Sequence, residues 1–269
     1  MGRTLNIAHR GGAALRPENT LAAFSAAMAK GYDGAELDVQ LSADGVVMVH
    51  HDFRLNPALT RYAGGWLSGE TPLIKDLGYA ALQAYDVGRA DPASDYARAH
   101  PRLVPAEGER IPTLEAVVAR VRAAQTAFLL FVELKTADSP ESGDPVQLAD
   151  EVMAVMESYL DGTIFVGFDW RGLKRIKELH AGARCWFSTE RLESDMRPIL
   201  EVIAGAGADG WFAHHRNVTA ETAAHARSLG LRLGAWTVNE PQDMKKLLAL
   251  DVNAICTDRP DLLENMRNR

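Results

Sequence analysis

The chain has 269 residues, 47% of them hydrophobic and 24% charged, a composition typical of globular proteins that bury a sizeable core. Its formal net charge of −7 argues against a basic surface for nucleic acid and against adhesion to an anionic membrane. The sequence has neither an apolar run of the roughly 18 residues that a membrane span needs nor a signal-peptide pattern, so we expect no stable membrane insertion and a cytoplasmic location.

Short β-rich segments alternate with helical patterns along most of the chain. The predicted strands are 5–8, 35–39, 128–134, 163–167, 183–187, 210–213, 231–237 and 254–256. The predicted helices are 20–30, 112–124, 145–159, 170–179, 196–204, 219–229 and 241–250. In the first of these helices Leu21, Phe24 and Met28 follow the spacing of one buried face. Eight strands interleaved with helices predict a (β/α)8 TIM barrel, and the chain length is typical of that fold.

A doubly wound open sheet is the alternative fold. It is disfavoured because no Gly-x-Gly-x-x-Gly turn opens the first helix, and the His-Arg-Gly-Gly sequence found there is a poor phosphate cradle on its own. The segment 53–110 interrupts the alternation with scattered Gly, Pro, Asp and Tyr. It is too long for a simple loop, so we expect a small inserted subdomain after the second strand, within a single domain spanning residues 1–269.

Acidic side chains lie on two of the predicted strands. Glu36 and Asp38 are two positions apart in "GAELDVQL", so a strand directs both to one face, either towards the barrel mouth or onto an exposed edge. Glu133 and Lys135 end the apolar run "AFLLFVELK", either as site residues or as an isolated ion pair. The three carboxylates predict a site for one hard divalent cation, Mg²⁺, Ca²⁺ or Mn²⁺, rather than for zinc.

Histidines follow two apolar runs. His9 ends the first predicted strand, and His50 and His51 follow "DGVVMV". Adjacent residues of a strand face opposite sides, so only one of the pair should enter a site. We assign His51 to the site, because Asp52 beside it could orient its imidazole. A structural or exposed histidine is the alternative at each position.

The turn after the first strand is unusually polar. Arg10 could form paired hydrogen bonds to an anionic oxygen, and Gly11 and Gly12 allow the backbone to approach closely. Glu18 either holds Arg10 or caps the following helix. Two histidines, a divalent cation, Arg10 and Lys135 together are suited to phosphodiester cleavage, because the cations offset charge on phosphorus while the histidines move protons.

Six segments between residues 7 and 263 resemble, in order, the motifs of the glycerophosphodiester phosphodiesterase family. They read "AHRGG…RPENTLAAF", "GAELDVQLSADGVVMVHHD", "GERIPTLEAV", "FVELK", "GAWTVN" and "ICTDRPDLL". His-Arg-Gly with Pro-Glu-Asn-Thr, Glu-x-Asp and His-Asp in one chain is a specific combination, whereas any single segment is a weak signal. The resemblance implies a (β/α)8 barrel with an insertion after the second strand.

The resemblance also implies the composition of the site. It comprises an acid–base pair, His9 and His51; the ligands of a divalent ion, Glu36, Asp38 and Glu133; and the substrate-binding residues Arg10, Lys135, Glu18, Trp236 and Phe168. In this family the glycerol 2-hydroxyl attacks phosphorus, and water then opens the cyclic phosphate. Trp236 would form an apolar wall near the glycerol, although a core tryptophan explains it equally well.

The implied function is metal-dependent hydrolysis of a small glycerophosphodiester to glycerol 3-phosphate and an alcohol. A lysophospholipase D-type phosphodiesterase on the same scaffold is one alternative; it would need an apolar surface, for which Tyr62, Trp66 and Leu67 are candidates. A non-catalytic glycerophosphodiester-binding protein is the other, but it would not need both His9 and His51. Homo-oligomerisation through the insertion stays open.

Overall fold

The computed structural model describes residues 3–192 and 195–267. Its strands are β1 (Leu5–Ala8), β2 (Gly34–Leu41), β3 (Val47–Val49), β4 (Arg61–Tyr62), β5 (Gly65–Trp66), β6 (Leu129–Leu134), β7 (Thr163–Gly167), β8 (Cys185–Thr189), β9 (Gly210–His214), β10 (Arg232–Trp236) and β11 (Ala254–Thr257). β1, β2 and β6 to β11 are parallel, and pairing of β1 with both β11 and β2 closes them into a barrel. These eight strands overlap the eight predicted ones, so the predicted TIM barrel is confirmed.

Helices surround the barrel. They are α1 (Leu21–Ala29), α4 (Leu114–Ala124), α5 (Pro145–Met156), α6 (Trp170–Leu179), α7 (Arg197–Gly205), α8 (Ala220–Ser228), α9 (Pro241–Ala249) and α10 (Pro260–Arg267). The short helices α2 (Tyr79–Leu82) and α3 (Asp95–Ala99) lie between β5 and α4 instead. Side chains of Thr20, Thr113 and Thr219 accept hydrogen bonds from backbone N–H groups in the first turns of α1, α4 and α8. None of the described helices combines the length and apolarity needed to cross a bilayer.

The interior of the barrel is filled with apolar side chains. The buried members of this cluster are Ile7, Phe131, Ile164, Val166, Trp186, Phe212, Ala254 and Cys256. Phe131 and Trp186 meet edge to face, with ring centroids 5.3 Å apart. Because side chains two apart on a strand share a face, Glu133 lies on the same inward face as Phe131, nearer the carboxyl end of β6. The polar groups therefore lie above the apolar filling, at the mouth of the barrel.

The chain between β3 and α4 forms an irregular unit beside this mouth. β3 pairs antiparallel with β2, and the hairpin of β4 and β5 and the short helices α2 and α3 follow. A small cluster of its own holds this unit together: Met48, Leu55, Ile74, Leu82, Val87 and Ile111. Arg54 Nε donates to Glu141 Oε1 at 2.8 Å, and Lys75 donates to the Ser142 carbonyl at 3.1 Å, which joins the unit to the loop between β6 and α5.

Candidate active site

A cavity of about 780 Å³ opens at the carboxyl-terminal mouth of the barrel. Ends of the barrel strands line one side of it, and residues 51–57 of the irregular unit line another. The residues expected at the site that line the cavity are His9, Arg10, Asp38, His51, Glu133, Lys135, Phe168 and Trp236. The other two lie behind this lining: Glu36 is buried beneath His9, and Glu18 contacts Arg10. The structure thus brings all ten residues together.

Three buried carboxylates lie together at the floor of the cavity; Asp38 and Glu133 line it, and Glu36 lies directly behind them. Glu36, Asp38 and Glu133 each offer an oxygen, and these oxygens lie within 4.8 Å of one another. Glu36 is 1% exposed, and its Oε1 has no hydrogen-bond partner among the described residues. Burial raises the pKa of Glu36 well above its ordinary value, and the charges of Asp38 and Glu133 add to this effect. An unsatisfied buried carboxylate oxygen beside two others fits a hard divalent cation.

Two cationic side chains flank these carboxylates. Arg10 Nε lies 3.4 Å from Asp38 Oδ2, and Lys135 Nζ donates to Glu133 Oε1 at 2.8 Å. Burial opposes ionisation of Asp38, but the charges of His51, Arg10 and Lys135 hold its pKa well below its ordinary value. Burial likewise opposes the charge on Lys135, yet Glu133 and Asp38 raise its pKa above the ordinary value. Asp38 and Lys135 are therefore both ionised at neutral pH.

Arg10 occupies a strained backbone position. Its φ is +50°, within a short 3-10 turn that directly follows β1. Its backbone N–H donates to Glu36 Oε2 at 3.0 Å, and its guanidinium donates to Glu18 Oε1 at 2.9 Å. Tyr96 of the irregular unit donates to the other oxygen of Glu18 at 2.6 Å. A Cβ atom at Gly11 would lie 2.6 Å from a side-chain carbon of α1, so this polar turn packs against the helix only because glycine follows Arg10.

Each of the two histidines is held by an aspartate. His9 Nδ1 lies 2.6 Å from Asp258 Oδ1, and His51 Nδ1 lies 2.7 Å from Asp52 Oδ1. His9 Nε2 lies 3.8 Å from Glu36 Oε2, so this ring nitrogen faces the carboxylates. Although burial opposes ionisation of both aspartates, contact with the histidines lowers the pKa of each to about 2.

The neighbouring His50 has a different environment. It is buried, and its Nε2 lies 3.4 Å from the carbonyl oxygen of Arg54. Burial lowers the pKa of His50, which favours its neutral form. Of the two adjacent histidines, His51 is the one that lines the cavity, although both follow the end of β3 at Val49 and the alternation of strand residues does not apply to them.

Aromatic rings form another wall of the cavity. The rings of Phe168 and Trp236 are perpendicular, with centroids 5.2 Å apart. Trp236 Nε1 donates to the Phe212 carbonyl at 3.2 Å, which fixes the indole. His214 packs its ring edge to face with Trp236 at 5.2 Å, so it supports this wall from the end of β9. This part of the cavity suits the apolar carbon atoms of a small ligand.

Sequence reasoning missed several residues that support the site. They are Asn19, which donates to Asp38 at 2.8 Å, Tyr96, Asn239 and Asp258. Asn19 and Asp258 lie in matched segments, "RPENT" and "ICTDRP", so position in a motif was the available signal. Tyr96 lies in the irregular segment, where no periodicity or motif marks it.

The model of the glycerophosphoryl diester phosphodiesterase family matches residues 9–262. The chain belongs to this family. Membership makes it a phosphoric diester hydrolase, and the match covers all ten residues that the sequence assigned to the site. This chain is also similar to a Bacillus subtilis protein provisionally described as a glycerophosphodiester phosphodiesterase, with 33% identity over 96% of this chain and 95% of that one.

Two solved structures share the fold along nearly their whole length. A crystal structure from Silicibacter pomeroyi, provisionally described as a glycerophosphoryl diester phosphodiesterase, has a TM-score of 0.89 and 29% identity, covering 100% of this chain and 94% of that one. A phosphodiesterase of Oleispira antarctica, solved with the product sn-glycerol-3-phosphate, has a TM-score of 0.80 and 22% identity, covering 99% and 98% of the two chains. At that identity the second comparison supports the barrel fold alone.

Proposed function

We propose that this phosphodiesterase hydrolyses glycerophosphodiesters to glycerol 3-phosphate and an alcohol, using one divalent cation and an acid–base pair formed by His9 and His51. One observation carries the proposal: a buried triad of carboxylates lies at the floor of a cavity that both imidazoles line. The product bound by the Oleispira antarctica phosphodiesterase, sn-glycerol-3-phosphate, agrees with the product proposed for this chain.

The cation would be held by Glu36, Asp38 and Glu133. The unsatisfied Oε1 of Glu36 supports this assignment, and oxygen donors favour Mg²⁺, Ca²⁺ or Mn²⁺. When bound, the cation would supply positive charge that offsets the negative charge developing on the phosphoryl oxygens.

Arg10 and Lys135 are proposed to bind the phosphate of the substrate. Both line the cavity, and both are already fixed by carboxylates, Arg10 by Glu18 and Lys135 by Glu133. Such anchoring removes rotamer freedom before the substrate binds, so less entropy is lost on binding. Glu18 would act only through Arg10, as a support rather than as a direct substrate contact.

Proton transfer is assigned to the two histidines. One imidazole would accept the proton of the glycerol 2-hydroxyl as its oxygen bonds to phosphorus, and the other would donate a proton to the departing alcohol oxygen as its bond to phosphorus breaks. Water would then open the cyclic phosphate, with the two histidines exchanging roles. Phe168 and Trp236 would pack against the carbon atoms of the glycerol.

The lysophospholipase D-type alternative gains no support from its candidate residues. Tyr62 packs against Tyr85 at 5.3 Å, and Arg61 lies 5.7 Å above the ring of Trp66. Leu67 packs on the small cluster of the irregular unit. None of Tyr62, Trp66 and Leu67 lines the cavity, so we keep residues 53–110, which make up most of this unit, as an insertion that shapes one side of the site.

A substrate panel tests the proposal. The protein is treated with chelator, supplied again with Mg²⁺, Ca²⁺ or Mn²⁺, and assayed with glycerophosphocholine and with lysophosphatidylcholine. We expect glycerol 3-phosphate from glycerophosphocholine after the cation is restored. Preferential cleavage of lysophosphatidylcholine would contradict the proposal and support the lysophospholipase D-type alternative. Binding of glycerophosphocholine without formation of product would contradict it and support a non-catalytic binding protein.

A further inference from the structure

The two imidazoles of the cavity share one pattern of support. Each contacts an aspartate through Nδ1, and each aspartate accepts a second hydrogen bond from an asparagine. For His9 the pair is Asp258 with Asn239, whose Nδ2 donates to Asp258 Oδ2 at 2.6 Å. For His51 it is Asp52 with Asn56, at 2.8 Å. The aspartate beside His51 adjoins it in sequence, whereas Asp258 comes from the opposite end of the chain.

We infer that Asp258 is a positioning residue of the reaction: it holds His9 in the tautomer whose Nε2 lone pair faces the carboxylate floor. This inference rests on the proposed function, in which His9 moves protons. It goes beyond that function because it assigns a task to a residue that neither lines the cavity nor belongs to the carboxylate triad.

The tautomer follows from the hydrogen-bonding capacity of the carboxylate. An ionised aspartate only accepts hydrogen bonds, so at 2.6 Å the Nδ1 of His9 must be the donor. In a neutral imidazole the proton then lies on Nδ1, and Nε2 is left as an acceptor. That nitrogen is the one 3.8 Å from Glu36 Oε2, on the side of the floor. His9 is thereby prepared to take a proton from a group bound in the cavity.

Asn239 fixes the orientation of Asp258. Its Oδ1 accepts from the Asp258 backbone N–H at 2.9 Å and from Thr257 Oγ1 at 3.1 Å, so its Nδ2 is the atom that faces Asp258 Oδ2. An amide substituted at position 258 would therefore keep its oxygen towards Asn239 and turn its NH2 group towards His9. The imidazole would then have to accept at Nδ1 and carry its proton on Nε2, the wrong nitrogen for a base.

The two aspartates differ in exposure. The side chain of Asp258 is 14% exposed and that of Asp52 is 41% exposed. Electrostatic interactions are stronger where water is excluded. Asp258 should therefore favour the Nδ1–H tautomer of His9 more strongly than Asp52 favours that tautomer of His51.

The test compares three full-length variants, Asp258→Asn, Asp52→Asn and Asp33→Asn. Asp33 is the matched control: it is a hydrogen-bonded, 25%-exposed aspartate that precedes β2, at the amino-terminal end of the barrel. We expect kcat for glycerophosphocholine to fall by about 10²–10⁴-fold in Asp258→Asn, by less in Asp52→Asn and by little in Asp33→Asn. KM should change by less than about threefold, because Asp258 does not bind substrate.

A second readout does not depend on turnover. In ¹⁵N-labelled protein the ring nitrogens of neutral His9 report which one carries the proton, with His9→Gln used to assign the signals. We expect Nδ1–H in the wild-type protein and Nε2–H in Asp258→Asn. If Asp258→Asn fails to fold, Asn239→Ala replaces it; losing one hydrogen bond to the carboxylate should lower kcat by about tenfold.

The tautomer of His9 and the turnover number together distinguish failure of the role assigned to Asp258 from failure of the proposed function. A wild-type tautomer in Asp258→Asn, or kcat within about threefold of wild type, would overturn the assignment of Asp258. If the wild-type protein itself released no glycerol 3-phosphate, the proposed function would fail, while the NMR spectrum would still decide whether Asp258 sets the tautomer of His9.

Discussion

Replacing Glu36 by Gln should separate metal binding from stability. Glu36 provides one of three carboxylate oxygens within 4.8 Å of one another, and its Oε2 accepts the Arg10 backbone N–H, which a glutamine oxygen can also accept. Glutamine has nearly the same size and cannot ionise beside Asp38 and Glu133, whereas ionisation of Glu36 there is opposed by burial and by those charges. The variant should therefore fold and, without metal, be at least as stable as the wild-type protein.

The stabilisation of the fold by bound metal should nevertheless be almost lost in this variant. Outer-shell partners alone are worth about 10–100-fold in metal affinity, so loss of a charged ligand should cost at least about 100-fold. At a cation concentration 100 times the wild-type Kd, binding stabilises the wild-type fold by about 2.7 kcal/mol; a Kd raised 100-fold leaves only about 0.4 kcal/mol. In a chain of this size about 1 kcal/mol shifts Tm by about 2–4 °C, so the metal-induced shift falls from about 5–10 °C to about 1 °C.

Thermal unfolding with chelator gives the Tm of the metal-free protein, and the same measurement with Mg²⁺ gives the metal-induced rise in Tm. Glu141→Gln is the control, because Glu141 lies at the rim of the same cavity but contacts Arg54 rather than the triad. It should retain the full metal-induced rise in Tm. A rise in Glu36→Gln equal to that of the wild-type protein would refute the assignment of Glu36 as a ligand.

Four further substitutions test other parts of the site. His9→Ala and His51→Ala should each lower kcat at least about 10²-fold without a comparable loss in Tm, and near-normal turnover of the double variant in an assay of glycerol 3-phosphate release would exclude the acid–base pair. Gly11→Ala places a Cβ 2.6 Å from a carbon of α1 at a φ of +83°, so urea unfolding should show a loss of about 2–4 kcal/mol; an unchanged midpoint would argue against this close packing. Tyr96→Phe removes the hydrogen bond to Glu18, so KM should rise up to about tenfold with kcat nearly unchanged, and a fall in kcat alone would show that Tyr96 does not act through phosphate binding.

Much of the barrel could be predicted because its signals are local. Strands buried on both faces are apolar runs, so the segment "LLFVEL" predicts β6 without knowledge of the neighbouring strands. The face shared by Glu36 and Asp38 follows from the two-residue period of a strand. Helix α10 was not predicted, because its 8 residues are too few to establish a helical period.

The contacts that complete the site depend on how distant segments meet. Asp258 follows His9 by 249 residues, and only closure of the barrel makes them neighbours. The register of β1 and β11 pairs Ala8 with Thr257, which places the next residue of each strand, His9 and Asp258, side by side. The contact between His9 and Asp258 could therefore have been predicted from the sequence once the barrel fold was assumed. The contact of Tyr96 with Glu18 could not, since it depends on the irregular packing of residues 53–110.

The central claim is that the carboxylate triad holds one cation without which the phosphodiester is not cleaved. The most direct measurement is a titration of the chelated protein with Mn²⁺, following bound metal by electron paramagnetic resonance and hydrolysis of glycerophosphocholine in the same samples. We predict that bound Mn²⁺ and hydrolysis saturate together at one ion per chain, and that neither saturates in Glu36→Gln at the same Mn²⁺ concentrations. Full hydrolysis by the metal-free protein, or tight Mn²⁺ binding that survives Glu36→Gln, would contradict it.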